Sequence, residues 1–495
     1  MMTRTLRPLL CLALLAPPCL AQEAPPKLPA RPEQIPFPPL VFEPPDPAAY
    51  RRVLPGGVTV FLIPDRSLPL VDVRFTFRGG SYLDPKGKEG LAAAVGSMMR
   101  RGGAGDLDAA ALDEEVDFLA AQLGTGAGEY ELSASLDTLA QNLDKSLELM
   151  VAVLRRPRFQ ADRFALWKSD VLEQLKQRND DAGSILGREW ATIVYGADHF
   201  KARQVTKASL DGLTEEDLRG FHRRWVHPGN MVVGVSGDFD PDAMMKKLAK
   251  ALEGWAAAEK APPPPQPTHA LAPGVYRVEK DIPQGKVHIG MRSIKRDDPD
   301  YHALMVMSRI LGSGGFTSRI MRRVRSDEGL AYDAGAAIIP GLYFPGEFRA
   351  SFQSKSRTVA LAAKLVLEEV ERIRAQPVEA QELEVAKGSL IETFPTQFES
   401  PSATLGVFMS DHLSGRTYAW WKEYRDKVRA VTPADIQRVA AKHLDPKAMA
   451  ILIVGKWSEI EPGDLDGRAK MAEFFGGKAT ELPLRDPLTL EPLGR

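Results

Sequence analysis

The sequence predicts an α+β fold of two homologous domains, each a sheet covered by helices, in a bilobed, clam-like arrangement. Three observations carry this. Thr214, Asp217, Leu218, Pro228, Met231 and Gly237 recur as Thr432, Asp435, Ile436, Pro446, Met449 and Gly455, each displaced by 218 positions, and two copies of one α/β domain explain six positions kept in register. A Pro-rich stretch, Pro262 to Pro265 with Pro267 and Pro273, falls near the middle of the chain and reads as a linker between two lobes. Within the first half, strand patterns at both ends enclose a cluster of helical patterns, as in a sheet covered on one face.

The domain map that follows has a signal peptide over 1–21, a Pro-rich N-terminal arm over 22–48, a first domain over 49–258, the linker over 259–274 and a second domain over 275–495. The signal reading rests on Arg4 and Arg7, the apolar run Leu9 to Ala16, and the small-residue end Cys19-Leu20-Ala21 ahead of Gln22. That run is too short to span a bilayer, and a mature chain beginning near Gln22 has no transmembrane segment. The prolines from Pro25 to Pro45 favour an extended, weakly packed arm.

The first domain opens with Val58, Val60 and Leu62 at period two, then Val71, Val73, Phe75 and Phe77 alternating with polar residues; both read as half-buried strands. Helices are expected over 91–100, 107–123 and 136–154, with a strand over 130–135. In each repeat copy a Thr caps a helix that stops before Pro, and an apolar run, Met231 to Val235 or Met449 to Val454, reads as a buried strand.

At 495 residues, 44% apolar and 26% charged, the chain has room for more than one core. Losing the signal removes Arg4 and Arg7 and no acidic residue, so the net charge moves from −1 to −3, a near-balance that argues against nucleic-acid binding. Cys11 and Cys19 both fall in the signal, which excludes disulfides, thiolate metal sites and a cysteine nucleophile from the mature chain. Lipidation of Cys19 stays open, although Pro17-Pro18 make a poor lipoprotein signal.

The segments Leu54-Pro-Gly-Gly-Val-Thr-Val60, Lys88-Glu-Gly-Leu-Ala92, Leu213 to Leu218, Pro228-Gly-Asn-Met231 with Gly237-Asp238, and Ser318-Arg-Ile320 to Tyr332 stand in a telling order and spacing. With them the chain resembles, over about residues 50–458, the insulinase and pitrilysin-type (inverzincin) metallopeptidases, especially the mitochondrial processing peptidase branch of paired subunits. In that family a helix with a Gly-Leu-Ala lead carries H-x-x-E-H, two zinc ligands flanking a general base. The resemblance puts those positions at Ala93, Gly96 and Ser97, and the family's third ligand, a Glu, at Gln174.

Here the helix reads Gly90-Leu-Ala-Ala-Ala-Val-Gly-Ser-Met-Met99, with no His, Cys, Asp or Glu from Gly90 to Gly105 and no His before His199. Ala and Gly have no donor atom, Ser is a poor zinc ligand and a neutral Gln lacks the carboxylate charge. Glu173 lies next to Gln174, but one residue turns a helical side chain by about 100° and aims it elsewhere. The expected member has therefore lost its zinc motif, and its helix packs through Leu91, Val95 and Met98.

The resemblance also implies a substrate-binding pair, Arg325 and Tyr332, which in the family reach the substrate backbone near the zinc of another domain. A guanidinium fork and a phenol can both donate to a peptide carbonyl or oxyanion. The plain alternative is a solvated helix Arg beside a core strand Tyr. Gly312-Ser-Gly-Gly315 ahead of them lacks the Lys of a phosphate loop and reads as a turn. His199, His222, His227, His269, His288, His302, His412 and His443 are scattered and expected to be surface or partly buried side chains. Glu114 and Glu115 read as a solvated acidic face.

What the resemblance implies is a non-catalytic subunit that pairs with a related zinc-bearing subunit, takes unstructured peptides and works in the periplasm or outside the cell. No cofactor is expected on this chain, zinc belonging to the partner. The alternative is an inert structural or peptide-holding scaffold, and an active enzyme with an unusual metal site is the least favoured reading.

Overall fold

The computed structural model describes residues 41–493 together with Arg31, Gln34 and Ile35. The signal expected at 1–21 and most of the arm at 22–48 lie outside the described residues. Residues 43–495 form one compact unit. The last arm residues belong to it: Pro44 is buried, its carbonyl accepts a 2.8 Å hydrogen bond from Tyr418 Oη, and Asp46 caps the short helix Pro47–Tyr50. Of residues 41–48 only Pro44 is buried.

Twelve strands form two six-stranded sheets among the described residues. The first comprises β1 (Arg51–Val53), β2 (Thr59–Pro64), β3 (Leu70–Arg78), β4 (Gln122–Ala127), β5 (Glu131–Leu139) and β6 (Met231–Gly237), in the order β1-β2-β6-β3-β5-β4. The second comprises β7 (Gly274–Glu279), β8 (Gln284–Arg292), β9 (Ala331–Ile339), β10 (Glu347–Lys355), β11 (Ala450–Gly455) and β12 (Ala479–Leu482), in the order β12-β7-β11-β8-β10-β9. In each sheet the late strand, β6 or β11, runs parallel to the first long one and antiparallel to the next. The outer strands break the likeness, since β1 is antiparallel to β2 whereas β12 is parallel to β7.

The repeat has a local physical cause. Thr214 and Thr432 each cap a helix, Glu215–Trp225 and Pro433–His443, through a capping box with Asp217 and Asp435. A short turn from Pro228 or Pro446 then delivers the chain into β6 or β11, where almost every side chain is buried.

Two of the expected helices need correction. The helix expected over 107–123 is Ala109–Phe118, and residues 122–127 are strand β4 instead. Leu112, Val116, Leu119 and Leu123 keep a helical spacing, yet Ala120 turns through φ +48° and Gly124 and Gly126 disfavour helix. The helix expected over 136–154 begins at Leu143, because Leu132, Ala134 and Leu136 continue inward-facing alternation along β5 to Leu139.

Neither sheet is covered on one face only. Each has its main core on one side, with Val73, Phe75 and Met98 in the first and Ile289, Val306 and Phe348 in the second. The opposite face is covered by a helix from the other half. Ile185, Leu186 and Trp190 of helix Ala182–Tyr195 pack on Leu452 and Val454 of β11. Leu405, Phe408 and Met409 of helix Pro401–Ser414 pack on Phe61, Ile63 and Val232 of β2 and β6. Burying a side chain of this size contributes about 1.5–3 kcal/mol, so the exchanged helices bind the halves firmly.

Residues 259–273 have no regular secondary structure, but they are tied down. The carbonyls of Pro262 and Pro265 meet Tyr82 Oη at 2.8 Å and His199 Nε2 at 3.2 Å, and Ala261 N donates to Asn230 Oδ1 at 2.8 Å. No helix among the described residues is long and apolar enough to cross a membrane.

Candidate functional site

The helix Leu91–Arg101 starts at Gly90, which has φ +99°. Asp84, buried beneath this end, accepts hydrogen bonds from Gly90 N at 2.9 Å and Ala92 N at 2.8 Å. Burial raises its pKa to about 6 despite those two bonds. Leu91, Val95 and Met98 are buried in the first core, as the helical spacing predicts.

The four positions of the family's zinc site stand as follows. Ala93 is exposed, Ser97 half-buried and Gly96 buried against β4, while Gln174 is exposed on helix Ala161–Lys176, which packs beside the first helix. A Cβ built on Gly96 would lie 2.5 Å from the Gly126 carbonyl carbon, and Thr125 Oγ1 donates a 2.6 Å hydrogen bond to Gly96 O. Strand β4 therefore occupies the space that a glutamate at 96 would need. Glu173 turns outward and pairs with Lys176 at 2.6 Å. These residues do not fit a zinc ion.

The second half is built the same way. A Cβ on Gly312 would meet Ala336 N of β9 at 2.1 Å, so there too a helical glycine lets an outer strand close in. The first half thus packs like a domain that has no metal helix at all.

Arg325 and Tyr332 come together. Arg325 lies within the helical turn Arg322–Asp327, Tyr332 is the second residue of β9, and the guanidinium carbon lies 4.7 Å from the Tyr332 ring centroid. It also lies 4.6 Å from the ring of Phe316. Tyr332 is 84% exposed and Phe316 68%, so Tyr332 is no core residue. Both Arg325 and Tyr332 line a cleft of about 830 Å³ formed between helix Ala182–Tyr195 and the second sheet, with Lys286, His288 and Lys355 on its wall. Burial pulls the His288 imidazole down to about 3, which leaves it neutral at ordinary pH. Phe316 escaped the sequence reading; its signal was an aromatic placed directly on the glycine turn Gly312 to Gly315, where nothing local calls for one.

The remaining candidates resolve simply. His199, His222 and His227 are buried, not superficial, and each bonds a backbone carbonyl through Nε2. Glu114 is exposed and Glu115 half-buried on the helix Ala109–Phe118. Asp298, Asp300 and His443 bring potential ligand atoms within 4.8 Å of one another. Asp300 already accepts from Arg438 and Lys442 at 2.7 Å and from His443 at 2.8 Å, an arrangement that neutralises its carboxylate without an ion.

Residues 212–390 match the family described as Peptidase M16 inactive domain. The chain is 24% identical over 410 residues to the non-peptidase homolog YmxG of Helicobacter pylori, a match covering 82% of this chain and 93% of that protein. It is 27% identical over 359 residues to an uncharacterized zinc protease of Mycobacterium leprae, covering 69% of this chain and 77% of that one. Among solved structures, the peptidase M16 inactive domain from Pseudomonas fluorescens superposes with a TM-score of 0.71 at 25% identity, covering 82% of this chain and 97% of that one. With its paired sheets and emptied ligand positions, the chain is similar in sequence and fold to inactive homologues of the M16 peptidase family.

Proposed function

We propose that this chain is the non-catalytic subunit of a paired peptidase assembly in the periplasm or outside the cell. It joins a related chain that keeps the zinc residues, walls the chamber in which unstructured peptides are degraded or processed, and supplies Arg325 and Tyr332 to the substrate. One observation carries the reading. A chain whose own zinc helix is closed by β4 nevertheless presents Arg325 and an exposed Tyr332 on an open cleft. Exposing an 84% accessible ring to water has no packing benefit, which favours a role toward a ligand. The charged, apolar and small-residue order of residues 1–21 supports export.

The test is co-purification of the tagged chain from its native host. A stoichiometric partner bearing H-x-x-E-H, active on peptides only with both chains present, is the expected result. A chain that purifies with no such partner supports the inert scaffold instead.

A further inference from the structure

Contacts with Phe316 and Tyr332 occupy the apolar surface of the Arg325 guanidinium, while its side-chain N–H groups make no hydrogen bond and no ion pair among the described residues. A planar cation held against rings in this way is left to bind through its edge, and the N–H fork matches a carboxylate. Lys355, exposed on the same cleft, also has no acidic partner among the described residues. Lys286 is tied to Asp181 at 2.7 Å, and Asp333 is the one acidic side chain on the cleft wall.

The corresponding cleft on the first sheet has the opposite chemistry. It measures about 470 Å³, lies at the N-terminus of helix Pro401–Ser414, and is lined by Asp65, Asp72 and Asp137. Asp72 and Asp137 stand directly opposite each other on β3 and β5, and only Asp72 has a cation, Arg74 at 2.7 Å. Like charges so placed repel an acidic ligand as they repel each other.

We propose that the cleft beside Arg325 binds the acidic side chains of an extended peptide, Arg325 forking onto one carboxylate and Lys355 meeting another. This rests on the peptide-holding part of the function proposed above and names the class of peptide held. Local charge complementarity selects the segment that enters, and the carboxylate-lined cleft rejects it.

The experiment is fluorescence anisotropy of the purified chain with labelled, amidated, unstructured peptides of equal length that carry Glu, Gln or Lys at alternate positions. The Glu peptide is expected to bind roughly tenfold tighter than the Gln peptide and the Lys peptide more weakly than either, a preference that fades with salt. Lys355→Glu, on an exposed strand end, should bring the Glu peptide to the level of the Gln peptide with thermal unfolding unchanged. Glu114→Gln, exposed on the helix Ala109–Phe118 and in neither cleft, should alter nothing. Equal affinity for Glu and Gln peptides, binding that needs a free C-terminus whatever the side chains, or no binding at all would overturn the proposal. The pairing reading stands or falls separately, on the partner's turnover.

Discussion

Gly96 and Ala127 approach so closely that a Cβ built on Gly96 would sit 2.6 Å from the Ala127 nitrogen and 3.0 Å from its Cβ. The loss of the zinc motif is thus more than a change of four letters. Strand β4 packs onto the helix, and its backbone fills the space that a glutamate side chain at 96 would need.

Restoring the letters should therefore not restore the site. The quadruple variant Ala93→His, Gly96→Glu, Ser97→His, Gln174→Glu is expected to lose about 1–3 kcal/mol or more through overpacking at 96, and to cleave no peptide. Denaturant unfolding and a peptide assay with added zinc check both parts. Chelator-sensitive cleavage by a stably folded variant would show that β4 gives way easily.

The unaltered chain should hold no stoichiometric zinc after dialysis, because positions 93, 96, 97 and 174 lack charged or imidazole donors. Elemental analysis decides this; one equivalent retained would mean that a ligand set lies elsewhere on the chain.

Asp84 anchors the start of the helix Leu91–Arg101 through two backbone hydrogen bonds. Asp84→Ala leaves both N–H groups without acceptors in a buried setting, and a loss of about 2 kcal/mol or more is expected. A melting temperature within a degree or so of the parent would mean that water or a neighbouring group takes over.

Burial pulls the His222 imidazole from 6.5 to about 4, with Nε2 held 2.8 Å from Leu154 O. The unfolded chain takes up this proton near 6.5 and the folded chain only near 4, so the stability His222 contributes is present above 6.5 and is lost as pH falls through that window. Asp84, with its pKa raised to about 6, acts in the opposite direction between its ordinary value and 6. Comparing the parent with His222→Phe cancels the Asp84 effect. From pH 7 to pH 4.5 the parent should lose about 1–3 kcal/mol more than the variant in urea titrations. Parallel curves would show that His222 is protonated in the folded state.

Much of the fold is written in local signals. The Thr caps with their Asp partners, the helix stops before Pro228 and Pro446, and the core spacing of Leu91, Val95 and Met98 are each decided within a few residues. The errors arose where one set of residues served two periods. Leu112, Val116, Leu119 and Leu123 fit a helix although the last lies on β4, and Leu136 belongs both to the alternation of β5 and to a helical spacing with Leu143. Other features depend on partners distant in sequence. Leu405 and Met409 gave no sign that their helix would cover Phe61 and Val232, nor Ile185 that its helix would cover Leu452. The pair Arg325 and Tyr332 could be named from the resemblance. Phe316, which completes the stack, could not, because its contact exists only once the turn has folded back onto β9.

The most direct measurement is the turnover of the zinc-bearing partner assembled with the parent chain, with Arg325→Ala and with Tyr332→Phe. Both side chains are at least partly exposed, so assembly should be unaffected while turnover falls by roughly tenfold to a thousandfold, the range expected when a transition-state donor is removed. Full turnover by complexes carrying both substitutions would contradict the account and leave this chain a scaffold.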